Sequence, residues 1–139
     1  MIRQPQRAAA SIGESGCYFL SILYLAEATT RRAVDALHVY QLAVTAGLID
    51  GDCFVKDAGG IMTLLCDEKW ECVKAGPGHP LPLDYSLKAG ELEILRFELG
   101  GLAHFVVGRG RGTVAFDPYG ASRTVAEGKM VSRRILRKI

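Results

Sequence analysis

No two of the four cysteines, Cys17, Cys53, Cys66 and Cys72, form a C-x-x-C pair. A zinc site drawn from Cys53, Cys66, Cys72 and His79 would lack regular ligand spacing. No metal and no cofactor is therefore expected, and dispersed thiols of this kind read as small buried apolar residues. No long hydrophobic run is present. The most apolar stretch, Cys17 to Ala28, covers 12 residues, whereas a bilayer span needs about 20. The opening Met-Ile-Arg-Gln-Pro-Gln-Arg lacks the charged-then-apolar order of a secretory signal. The expected setting is cytoplasmic, with release on cell lysis as a second route, and disulfides are not expected there. Internal repeats, low-complexity tracts and domain-splitting linkers are absent.

What is there suits one soluble globular domain over residues 1–139. Hydrophobic residues make up 49% and charged residues 23%, a composition that excludes disorder. The net charge of +2 is unevenly spread: −5 over residues 50–99 and +6 over residues 100–139.

The pattern switches once along the chain. Ser15 is a candidate N-cap for a helix from about Gly16 to Ala28. That helix is apolar on nearly every face, as a buried central helix is. Thr29 or Thr30 can cap a second helix, residues 31–46, with Val34, Leu37, His38 and Leu42 as its apolar stripe and Gly47 as its stop. A short third helix is predicted over residues 60–67. The Gly/Pro-rich segment 76–82 is a loop. Strands follow over residues 91–99, 103–108 and 113–116, with edge strands at Val125 and residues 130–135. The fold class is α+β, helices first and then an antiparallel sheet.

Three residues form the candidate chemistry. Cys17 opens the buried helix, where the helix dipole and a basic neighbour favour thiolate. Gly16 leaves room for a substrate carbonyl beside it. His104 opens the strand His-Phe-Val-Val-Gly. Asp117 ends the partner strand in Phe-Asp-Pro-Tyr-Gly, a sequence that also suits a type I turn. A hairpin centred between Gly110 and Arg111 makes His104 and Asp117 direct cross-strand neighbours. The carboxylate would then hold the imidazole's tautomer. On that face Val106, Gly108, Thr113 and Ala115 are small enough for a helix to pack closely.

Gly16-Cys17-Tyr18-Phe19-Leu20-Ser21, then His104 to Gly108, then Val114 to Pro118, resembles the papain-like cysteine peptidase superfamily. The similarity is to its small bacterial and phage branch, including the C39-like peptidases that trim bacteriocin leaders. The resemblance implies a papain-like fold with the nucleophile on a central helix, packed on a C-terminal antiparallel sheet. It implies a hydrolase acting on peptide or peptide-like substrates through Cys17, His104 and Asp117. The family's oxyanion glutamine would fall at Ser11, so that role passes to Gln6. Two other readings keep the same residues: a cell-wall amidase of the NlpC/P60 type, and a degenerate module that binds peptide without cleaving it. Arg123, Lys129, Arg133, Arg134, Arg137 and Lys138 give the tail a basic character. Without a recognition motif it reads as a solvated edge strand rather than a nucleic-acid surface.

Overall fold

The computed structural model describes residues 12–13, 16–51 and 53–139. Ser15, Gln6 and Ser11 lie outside the described residues. Among the described residues, from Cys17 onward, four helices and five strands follow in chain order: α1 (Cys17–Thr30), α2 (Ala36–Thr45), α3 (Ala58–Cys66), β1 (Trp70–Ala75), β2 (Leu92–Leu99), β3 (Leu102–Gly108), β4 (Val114–Phe116), α4 (Arg123–Glu127) and β5 (Lys129–Lys138). The strands form one antiparallel sheet in the order β1-β5-β2-β3-β4. The fold is thus α+β. Among the described residues no helix is long and apolar enough to cross a membrane.

The central helix is α1. Phe19, Ile22 and Ala26 are wholly buried in it, and Leu23 and Leu25 nearly so. Burying each large side chain contributes about 1.5–3 kcal/mol. Two ring stacks fix α1 on the sheet: Tyr18 on Phe105 and Tyr24 on Phe116, both with centroids 4.3 Å apart. Such pairs add roughly 0.5–1.5 kcal/mol each beyond their area. The helix therefore rests on the bulky side of β3, not on the small-residue side expected from sequence. Val106 instead joins Leu95 and Phe97 in a second cluster, with Val125 of α4 packed against it.

Three further expectations are corrected. First, α2 starts at Ala36, because Asp35 Oδ1 accepts from the N–H groups of Leu37 and His38 at 3.0 and 3.3 Å. The Thr30 hydroxyl donates back to Ala26 O at 2.8 Å instead of capping. The buried face is then Val39, Tyr40 and Ala43, and Leu37, His38 and Leu42 face outward. Second, Val125 lies in a helix, because Ser122 Oγ caps it by accepting from the Val125 N–H at 3.2 Å. Third, β5 is no edge: it pairs with β1 on one side and β2 on the other.

That interior position also accounts for the basic tail. Arg133 pairs with buried Glu93 at 2.6 Å, Arg137 with Glu71 at 3.3 Å, and Lys138 with Glu68 at 2.8 Å. Much of the positive charge is neutralised inside the domain, which leaves little of the expected solvated strand.

Candidate active site

Cys17 is the first residue of α1. Gly16 precedes it as N-cap and makes no side-chain capping bond. The first intrahelical bond runs from the Leu20 N–H to Gly16 O at 2.7 Å. The N–H groups of the first turn thus have no partner within the helix, and they carry its positive end. A side chain at Gly16 would collide with the backbone carbonyl of Ile12. The space seen from sequence as substrate room is taken by the chain itself, so Gly16 serves the close approach of Ile12.

His104 lies near the start of β3 and is 4% exposed. Its Nε2 stands 2.7 Å from Asp117 Oδ1. The sequence-based register needs correcting. Pairing between β3 and β4 runs through Val107↔Phe116 and Gly108↔Val114, with an irregularity between them. Asp117 therefore reaches His104 from the turn beyond the strand end, not from the facing ladder position. The loop explains this: Glu93 Oε2 accepts from the N–H groups of Gly110 and Gly112 at 2.6 and 3.3 Å, and the Arg109 N–H donates to Thr113 O at 2.9 Å.

The turn and the site share one carboxylate. Asp117 Oδ1 also accepts from the Tyr119 N–H at 2.9 Å, and the Gly120 N–H donates to Asp117 O at 2.9 Å. Tyr119 lays its ring on the imidazole, with centroids 4.8 Å apart and planes 19° apart. The His104 ring is thus held along its edge by the acid and on its face by an aromatic. With Nε2 engaged, Nδ1 is the nitrogen left to share a proton with Cys17.

The electrostatics follow from these contacts. Burial pushes the Cys17 thiol up. The hydrogen bond from His104, the Phe105 N–H, the His104 charge and the Tyr18 N–H together outweigh it, and the pKa falls below the ordinary 9.0. Burial works against the charged His104 ring, but its bonds to Cys17 and Asp117 and their negative charge raise it above 6.5. The other thiols move the opposite way. Burial, with the charges of Cys17 and Asp50, pushes Cys53 up to about 12, and burial also raises Cys66 and Cys72.

Two residues that sequence reasoning gave no role support this arrangement. Tyr119 is one; its only signal was an aromatic inside the Asp-Pro-Tyr-Gly turn. Ser21 is the other. It is fully buried, and its hydroxyl lies 2.8 Å from Cys17 O and 3.4 Å from Phe105 O. It ties the first turn of α1 to the strand that carries His104. A serine four residues after the candidate nucleophile was its only trace in the sequence.

Cys17 opens onto a cleft of about 990 Å³, whose other walls include Phe54, His79, Phe105, Tyr119 and Arg134. His79 of the Gly/Pro loop thus borders the same space as Cys17. Among the described residues no group of three or more His, Cys, Asp or Glu is placed to hold a metal ion. Over residues 1–138 the chain matches the model of a family described as a protein of unknown function, DUF261. No curated protein and no solved structure matches it.

Proposed function

The chain belongs to the DUF261 family, and for it we propose a cysteine-dependent hydrolase, a peptidase or amidase of papain-like kind working through Cys17, His104 and Asp117. One observation carries the reading. The Nε2 of His104 is 2.7 Å from the buried Asp117 carboxylate, and this imidazole acts on Cys17, the thiol that opens α1, to lower its pKa. Structural cysteines rarely have such company, whereas activated nucleophiles require it.

The steps follow from the geometry. His104 takes the Cys17 proton, and the thiolate attacks an amide carbonyl carbon. The developing oxyanion meets the positive N-terminal end of α1, whose first-turn N–H groups have no partner within the helix. Imidazolium returns its proton to the leaving amine as the C–N bond breaks, leaving a thioester. Water, deprotonated by His104, then attacks the thioester and releases a carboxylic acid and the thiolate. Asp117 holds the imidazole in place and stabilises the imidazolium. Gln6, the oxyanion donor that the family resemblance implies, lies outside the described residues.

The test compares thiols within one protein. Cys66 and Cys72 are more exposed than Cys17. Access alone would favour them in alkylation by iodoacetamide at neutral pH. The hydrolase reading expects Cys17 to react first, by mass spectrometry, and expects Cys17→Ala to abolish cleavage of a mixed peptide digest. Alkylation of Cys17 no faster than of Cys66 sinks the reading.

A further inference from the structure

The cleft beside Cys17 has a charged wall that acyl transfer does not use. Lys56, Lys74, Arg96 and Arg134 line it, opposed by Asp50 and Asp57. Each acid accepts from a nearby backbone N–H: Asp50 Oδ1 from Phe54 at 3.0 Å and Asp57 Oδ1 from Gly60 at 2.8 Å. Arg134 is the most enclosed cation of the wall, at 8% exposure. Its guanidinium carbon lies 5.2 Å from the Phe105 ring centre and 6.0 Å from that of Tyr18. Arg96 approaches the Phe105 ring at 5.9 Å. Two guanidinium groups therefore share one aromatic platform, and Lys74 faces Arg134 across the β1–β5 ladder.

The polar accounting at Arg134 is incomplete. Its Nη1 donates to Ser132 Oγ, but Nε is buried with no hydrogen-bond partner among the described residues. Within the same residues, neither Arg134 nor Lys74 takes part in an ion pair. An enclosed guanidinium with unused donors is costly unless an anion completes it. A planar guanidinium held against rings matches a carboxylate's two oxygens.

We propose that this shelf binds the carboxylate of an acidic peptide substrate. The Asp or Glu side chain would lie within about three residues of the amide that Cys17 attacks. The spacing follows from the chain: Tyr18 succeeds Cys17 and Arg134 packs on its ring, while an extended peptide advances roughly 3.3–3.6 Å per residue. The inference rests on the hydrolase reading and names its substrate class.

The test is fluorescence anisotropy on the full chain, with labelled Ala/Gly octapeptides carrying one Glu or, as control, one Gln. The Glu peptide is expected to bind about tenfold tighter, the scale of a hydrogen bond to a charged group. The gap should narrow with added salt and vanish in Arg134→Gln. Should that buried substitution fail to fold in a melt, Lys74→Gln with Arg96→Gln serves instead and should narrow the gap. Equal binding of the two peptides, or a gap that survives the substitutions, overturns the proposal. So does displacement of the Glu peptide by inorganic phosphate more strongly than by acetate at equal concentration. Measured on Cys17→Ala, the anisotropy does not depend on Cys17 reactivity, which is read separately by alkylation. A selective Glu peptide together with an inert Cys17 would sink the hydrolase reading and leave the shelf standing.

Discussion

Among the described residues, two buried acid–base pairs have opposite characters. Glu93 and Arg133 meet at 2.6 Å with side chains 0% and 3% exposed. Backbone groups surround the pair: Glu93 Oε2 accepts from Gly110 and Gly112, and Arg133 Nη1 donates to Leu83 O and Tyr85 O. His104 and Asp117 meet at 2.7 Å and are scarcely more exposed, at 5% and 7%. Yet this pair leaves one ring nitrogen for a thiol at the cleft. Hydrogen bonds to the backbone on both partners make the first pair a strut, whereas the second keeps one ring nitrogen beside Cys17. Burial alone does not mark a reactive pair; the unspent nitrogen does.

Breaking each pair should separate the two roles. Asp117→Asn is expected to lower kcat/KM by roughly 10²–10⁴ through loss of the oriented tautomer, with a much smaller effect on the melt. A melt that collapses while the rate per folded molecule holds would erase the distinction. Glu93→Ala strands a buried guanidinium and should destabilise the fold by about 3–5 kcal/mol. Chemical denaturation measures it, and adding Arg133→Met should recover a large part of the loss. If the double variant is no better than the single one, the strut is not ionic in origin.

The pH response sharpens the contrast. His104 is raised, so the stability it adds is complete below 6.5 and fades as pH climbs through its folded pKa. Cys17 is lowered, so its contribution is complete above 9.0 and fades as pH falls through its folded pKa. Alkylation of Cys17 should therefore reach its midpoint below pH 9.0, and that of the other three cysteines above it. Asp117→Asn removes a partner that raises His104. The imidazolium is then lost at lower pH, and the Cys17 midpoint should move upward. A midpoint that stays put would disconnect the acid from the thiol. The smallest effects belong to the supports. Tyr119→Ala should cost about 0.5–1.5 kcal/mol of ring stacking. It should appear as a shifted alkylation midpoint and not only as a lower melt.

The comparison also explains what could be read from sequence. Cys17, His104 and Asp117 each carry a local signal: a helix start, a strand start and a turn. The nearness of His104 and Asp117 followed from one hairpin. The details did not, because the hairpin loop is shaped by Glu93, which lies 17 residues before Gly110. β1 escaped notice because Glu71 and Lys74 interrupt its apolar pattern; only Trp70 and Ala75, at its ends, are buried. The outward turn of Leu37 and His38 depended on whether α2 began at residue 31 or at Ala36, a choice made by the Asp35 cap. Arg134 was read as part of a solvated tail, since no local pattern says that β5 enters the middle of the sheet.

That last placement bears on how the protein matures during synthesis. Within the sheet β1 is joined to β2 only through β5, and β5 leaves the ribosome after every other element of the sheet. Until residues 129–138 emerge, β1 and the β2–β4 meander share no sheet pairing and meet only through the helices. The cationic wall beside Cys17 would be missing its Arg134. A nascent chain would thus carry the thiol without a finished pocket around it until the closing strand is in place.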